Sequence, residues 1–215
     1  MTARDAAGFF DRYAHDFDAI YAGRRRAYQR ATDRLLRHSM FLRYRRTLAT
    51  CNPVAGATVL DVGCGPGHYG IALAQAGARR VVGIDISGEM VKLAGTKARR
   101  ANVASRCHFE QADYLTWEPG DTFDFVILMG FMDYVDDARG VVERALEQMR
   151  RAAMFSFPVR RGILAWQRRL RYRLKTPLFM YTEEDLDRLF GVREDLDTEI
   201  SLLARDYFVI VRRQS

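Results

Sequence analysis

Residues 59–67 read Val59-Leu60-Asp61-Val62-Gly63-Cys64-Gly65-Pro66-Gly67, an apolar run that opens into three glycines alternating with Cys64 and Pro66. The pattern predicts a buried strand emptying into a tight loop against a ligand. Glycine suits such a loop because it accepts positive φ and has no Cβ to hold a ligand away from the backbone. The residues that follow, His68, Tyr69 and Ile71 to Ala74, predict a helix whose first N–H groups point at the same place.

Two kinds of nucleotide-binding loop fit this stretch. Gly65, Gly67 and Gly70 satisfy the G-x-G-x-x-G pattern of dinucleotide-binding folds. Asp61, Gly63, Gly65 and Gly67 satisfy D-x-G-x-G-x-G, with an acid at the strand end. In this second form the chain resembles the class I S-adenosylmethionine (SAM) dependent methyltransferases, whose first motif reads much like VLDVGCGPG. A glycine pattern alone does not separate the two, so the rest of the chain has to.

Downstream the pattern alternates. Strand signals fall at residues 58–62, 80–85, 107–112, 123–129 and 152–157, with helical patterns between them at roughly 68–77, 88–101 and 137–150. Ser87 and Asp136 or Asp137 are placed to cap two of these helices, and Thr182 with Asp185 to cap a short later one that Gly191 stops. Continuous apolar strands separated by amphipathic helices indicate a parallel sheet covered on both faces. The tail adds strand-like runs at about 194–200 and 206–212, joined closely enough to pair antiparallel. The expected class is therefore α/β: a Rossmann-like three-layer αβα sandwich on a seven-stranded, mostly parallel sheet with a C-terminal antiparallel hairpin strand. Such an ending matches the methyltransferase fold better than the dinucleotide one.

The net charge of +7 is unevenly placed. Residues 21–50 carry nine arginines against Asp33 alone, and residues 159–175 carry six arginines and Lys175 with no acid, so the remainder is acidic. Residues 24–49 predict an Arg-rich helical stretch with Tyr28, Ala31, Leu35 and Leu42 on a rough apolar face, ended by Cys51-Asn52-Pro53. The expected organisation is an N-terminal helical lid or extension over 1–50 and a SAM-binding domain over 51–215, with a basic helical insert at about 159–177. No apolar run approaches the roughly 18 residues of a membrane span, and the N-terminus lacks a secretory h-region, which leads to an expectation of a cytoplasmic protein. Cys51, Cys64 and Cys107 are odd in number and widely spaced, unlike a disulfide framework or a zinc site, and no metal site is expected.

The resemblance implies roles for residues at the strand tips. SAM presents an adenine, a ribose diol, a methionine tail and a sulfonium methyl, and open α/β sheets bind ligands at the carboxyl ends of their strands. Asp85 would accept from the ribose hydroxyls with Ile86 on the adenine face. Asp113 would accept from the adenine amine, with the Tyr114 N–H beside it. Gly63, Cys64, Gly65 and Gly67 would line the loop, Asp61 would organise it or meet the ammonium, and Met129 and Gly130 would face the methionine amine. Relatives often carry a histidine-rich segment after the fourth strand; here it reads Gly130-Phe131-Met132-Asp133-Tyr134. Asp133, Tyr134 or the lid residue His15 would then supply a base, or none is needed, because the sulfonium is already activated.

The acceptor is the open question. The signature of amino-methylating DNA and protein-glutamine enzymes is absent after the fourth strand, and no paired-glutamate loop of arginine methyltransferases is visible, so no DNA partner is expected. The expected chemistry is transfer from SAM, leaving S-adenosylhomocysteine, to an O or N atom of a small metabolite, anionic or partly apolar. Tyr13, Phe17 and Tyr21 from the N-terminal segment, Phe131, and Trp166 of the basic insert would line the acceptor side. Three alternatives stand beside this: an RNA methyltransferase whose arginines contact phosphates, a SAM-binding interaction module without catalysis, and an NAD(P)-dependent enzyme. The basic segments also suit a membrane surface.

Overall fold

The computed structural model describes residues 30–160 and 178–214, with side chains from residue 38 onward. The lid residues Tyr13, His15, Phe17 and Tyr21, and Trp166 of the basic insert, lie outside the described residues.

The apolar strand runs become a seven-stranded sheet in the order β3-β2-β1-β4-β5-β7-β6. Its strands are β1 (Thr58–Val62), β2 (Arg80–Asp85), β3 (Cys107–Gln111), β4 (Phe123–Leu128), β5 (Met149–Pro158), β6 (Leu196–Leu203) and β7 (Asp206–Arg213). The first five are mutually parallel, while β7 runs antiparallel to both β5 and β6. The tail hairpin thus enters with its second strand inward: β7 is buried along most of its length, and β6 forms the edge.

Alternation of side chains along the central strands feeds two cores. Leu60, Val62, Val126, Phe155 and Val209 face one way and are covered by α4 (Ala138–Gln148) and α5 (Glu183–Phe190). Val59, Val81, Ile127, Met154 and Phe208 face the other way, under α1 (Arg30–Thr50), α2 (His68–Gln75) and α3 (Gly88–Arg100). The result is the expected three-layer sandwich. Ser87 caps α3 by accepting from the Met90 N–H, Asp137 caps α4 through the Gly140 N–H, and Thr182 with Asp185 closes a capping box on α5. Of the two aspartates open for α4, the structure uses Asp137.

One boundary and one helix face differ from the periodicity. β5 begins at Met149 directly after α4, where the helical pattern had run to 150, because Gln148 is followed at once by residues that pair with β4. In α1 the residues that meet the sheet are mixed: Tyr44 and Leu48 pack on the core, while Ser39 and Thr47 are buried, Arg43 lies between them at helical spacing, and Phe41 is exposed. Leu42, expected on the apolar face, is only half-buried. The helix docks through polar groups of the sheet as well as through Tyr44 and Leu48; the side chains of Tyr28, Ala31 and Leu35 lie outside the described residues.

Candidate functional site

β1 is flanked by β2 on one side and β4 on the other, so the chain reverses its direction of travel across the sheet between β1 and β4. A crevice opens beyond the carboxyl ends of the strands at such a reversal. The β1 tip carries the glycine loop, in which Gly63, Gly65 and Gly67 all have positive φ, at 64°, 50° and 76°.

Asp61 and Asp85 hold this loop from two strands. The Gly65 N–H donates to Asp85 Oδ2 at 2.8 Å and the Ser87 N–H donates to Asp85 Oδ1 at 2.9 Å, which ties the β2 tip to the middle of the loop. Behind it, Asp61 Oδ2 accepts the Gly70 N–H at 3.2 Å in the first turn of α2. Asp61 is buried, and desolvation pushes its carboxyl up to about 7, against the Gly70 N–H and with added repulsion from Asp85. Cys64 is buried as well, and desolvation raises its thiol well above the ordinary range, so it packs as a small neutral side chain.

The space around each glycine differs. A Cβ at Gly63 would meet the Phe131 ring at 2.8 Å, and one at Gly67 would meet Ala94 and Phe109 at 3.0 Å. A Cβ at Gly65 would meet nothing within 4 Å. The loop is therefore backed by protein at its ends and open in its middle, beside the Asp85 carboxylate. A carboxylate offers about four acceptor sites, so accepting two backbone N–H groups is compatible with accepting a ribose hydroxyl as well. An open cradle with an anchored acid beside it and a buried acid behind it fits a cationic nucleoside.

Around this cradle stand the other strand tips. Asp113 follows β3, its Oδ1 accepts from the Leu115 N–H at 3.1 Å, and it stays half-buried. Tyr114 points inward: its hydroxyl donates to Gln148 Oε1 at 2.8 Å and its ring meets Phe131 edge-on, leaving only its backbone for a ligand. Ile86 is half-buried, and its carbonyl accepts from Gln111 Nε2 at 3.1 Å. Met129 and Gly130 are half-buried at the β4 tip, with Gly130 at φ 74°. Beyond them Met132–Tyr134 form a 3-10 turn in which Asp133 is buried and Tyr134 half-buried, and the Asp133 carbonyl accepts from the Phe179 N–H at 2.9 Å. Asp133 sits inside the turn, whereas Asp137 caps the helix that follows.

A family model for a methyltransferase domain matches residues 59–153, the stretch from β1 into β5. The central domain is that of a class I SAM-dependent methyltransferase. SAM is the cofactor of that family, and its domain is an enzyme domain of the methyl-transferring class. Among curated proteins, the methyltransferase domain is 38% identical over 108 residues to a protein-lysine N-methyltransferase of Saccharomyces cerevisiae, covering 43% of this chain and 47% of that one. It is 35% identical over 97 residues to the 27-O-demethylrifamycin SV methyltransferase of Amycolatopsis mediterranei, covering 45% of this chain and 36% of that one. These matches span less than half the length of either relative. Among solved structures, the fold is similar to magnesium protoporphyrin IX methyltransferase of Synechocystis with bound S-adenosylhomocysteine, at a TM-score of 0.79 and 21% identity over 97% of this chain and 98% of that one.

Sequence reasoning missed a buried polar group at the back of the β4 tip. Ser156 on β5 accepts from the Gly130 N–H at 2.7 Å and from Arg43 Nη1 at 3.0 Å. Asp206 on β7 accepts from the Ser39 hydroxyl at 2.9 Å and lies 3.7 Å from Arg43 Nη1. Nothing in the residue pattern marks Arg43 among the nine arginines of residues 21–50. Among the described residues no cluster of three or more His, Cys, Asp or Glu is arranged to hold a metal ion, and no helix is long and apolar enough to cross a membrane.

Proposed function

We propose that this chain transfers the methyl group of SAM to an O or N atom of a small acceptor, anionic or partly apolar, in the cytoplasm. The observation that carries this reading is the Gly65–Asp85 hydrogen bond, which sets an acid beside the one stretch of loop where a Cβ would meet only open space. In this reading Asp85 receives the ribose diol, Ile86 lies along the adenine, and Asp113 with the Tyr114 backbone receives its amine. Gly63, Cys64, Gly65 and Gly67 give the loop its close approach, while Asp61 balances the ammonium and Met129 and Gly130 receive it. When bound, SAM supplies a methyl on a sulfonium, which is already an activated electrophile.

The chain's own contribution is then alignment and exclusion of water. Phe131, packed over Gly63 and against Tyr114, walls the acceptor side. In this reading an N-terminal lid bearing Tyr13, Phe17 and Tyr21, and the basic insert with Trp166 and its cations, would serve an anionic acceptor. A base is needed only for a poorly acidic nucleophile. Asp133, Tyr134 and His15 are the groups offered for it.

Calorimetry with SAM and S-adenosylhomocysteine tests the cofactor, and absence of binding to folded protein overturns the reading. Labelled SAM incubated with fractionated cell extract tests the acceptor: label in a small molecule is the expected result. The likeness to a protein-lysine N-methyltransferase makes protein nitrogen the competing acceptor, and label in the protein fraction would replace the small-molecule reading. Label in RNA, with affinity falling steeply as salt rises, would assign the arginines to phosphates. Binding without label in any fraction would leave a SAM-binding module.

A further inference from the structure

We propose that Arg43 is a positioning residue that acts through Ser156 to aim the Met129 carbonyl at the cofactor's methionine end, so that helix α1 controls the grip on that end. The inference rests on the SAM reading above and adds to it a residue outside the strand tips.

The argument begins with one peptide plane. Met129 C=O and Gly130 N–H belong to the same peptide, and in a planar trans peptide they point in opposite directions. The Gly130 N–H is held by Ser156 Oγ at 2.7 Å, so the Met129 carbonyl is aimed away from Ser156. Ser156 is buried in the middle of the sheet's second half, on the strand next to β4. Gly130, at φ 74°, turns the chain there, and Phe131 immediately after it packs against the Gly63 position. The orientation of this single peptide therefore decides what the β4 tip shows to the glycine loop.

What keeps the Ser156 hydroxyl turned toward Gly130 is Arg43, whose Nη1 donates to the same oxygen at 3.0 Å. The Arg43 side chain is only 12% exposed, and a buried guanidinium is tolerated when a carboxylate neutralises it. Asp206 provides that charge at 3.7 Å and is itself held by the Ser39 hydroxyl at 2.9 Å, one turn earlier on α1. The chain of contacts runs from Ser39 and Arg43 on α1, through Asp206 and Ser156 on two strands, to a backbone amide at the crevice. One turn further along α1, Arg46 pairs with Glu199 on β6, away from the β4 tip.

The test uses the full chain, two ligands and four variants. S-adenosylhomocysteine carries the amino-acid tail, whereas 5′-methylthioadenosine has the same nucleoside without it. S156A and R43Q are expected to weaken S-adenosylhomocysteine about 5- to 50-fold while leaving 5′-methylthioadenosine within about 2-fold. R43K, which keeps one charged donor, is expected to recover part of the loss, and the S156A/R43Q double variant to lose little more than either single one. R46Q serves as the control on the same helix and should change neither ligand. Equal loss of both ligands would mark a merely structural role and overturn the inference, as would unchanged S-adenosylhomocysteine binding in S156A. Should R43Q fail to fold, S156A with its two ligands decides alone. Wild-type protein that binds neither ligand overturns the SAM reading itself, a result distinct from wild-type binding with indifferent variants.

Discussion

Gly65 and Asp85 stand 20 residues apart in the chain and meet across the β1–β2 boundary, the Gly65 N–H donating to Asp85 Oδ2 at 2.8 Å. The bond does two things at once. It satisfies a loop amide that has no partner in a regular ladder, and it brings a carboxylate to the edge of a cradle that glycine keeps open. Replacing Asp85 with Ala should therefore weaken SAM by about 1–3 kcal/mol and loosen the loop before any ligand arrives. Calorimetry reads the first effect and thermal unfolding the second; a variant unchanged in both would remove Asp85 from the site.

Gly65 and Gly63 make a contrasting pair. Alanine at Gly65 meets no atom within 4 Å, so the folded chain should lose only the cost of a left-handed residue, about 1–2 kcal/mol. The new methyl would stand in the cradle, and SAM affinity should fall far more than stability does. Alanine at Gly63 collides with the Phe131 ring at 2.8 Å, so there stability should fall first. Melting curves with and without S-adenosylhomocysteine check both; equal behaviour of the two variants would contradict the open cradle.

Asp61 gives a pH dependence with a definite sign. Its folded value of about 7 lies above the ordinary 3.8, mainly because it is desolvated. Between those values the folded chain holds a proton that the unfolded chain has released, so stability falls as pH rises from about 4 to about 7 and levels off above. Asp61→Asn should raise the unfolding midpoint of the free protein by a few degrees at pH 8 and leave it nearly unchanged at pH 4. The same substitution should weaken SAM, whose ammonium favours the charged carboxylate. A midpoint difference that does not grow with pH would contradict this account.

Thr182 tests the scaffold apart from the cradle. Its hydroxyl accepts from the Asp185 N–H at 3.3 Å, and Asp185 Oδ2 accepts the Thr182 N–H at 2.9 Å. Loss of such a cap costs about 0.5–2 kcal/mol. Thr182→Ala should lower the melting temperature by about 2–4 °C per kcal/mol and leave S-adenosylhomocysteine affinity unchanged. A large affinity change would mean that α5 reaches the site.

The alternation of strands and helices, the caps at Ser87, at Asp136 or Asp137, and at Thr182, and the glycine loop were all legible in the chain, because each depends on neighbours within about one turn or one strand. Periodicity placed β1 at its observed bounds and the other strands within a few residues. The acids at the tips of β1 and β2 were legible for the same reason, since a strand end is a local event. Which way those acids point was not. The Asp85 contact with Gly65 and the Asp61 contact with Gly70 arise only when two strands lie side by side in parallel register.

What the residues by themselves determined, then, is a layered parallel sheet with a glycine loop after its first strand, because hydrophobic period, capping and turn chemistry act over short spans. Tertiary structure decided which polar residues are buried. Arg43 was one arginine among many on an Arg-rich helix, and it turns inward with Ser39 because Ser156 and Asp206, more than 100 residues away, offer them partners. It also decided that β7 inserts between β5 and β6, where its apolar run is covered on both faces, leaving the more polar β6 at the edge. Burial of a polar side chain depends on a partner, and a partner distant in sequence becomes visible only when the chain has folded.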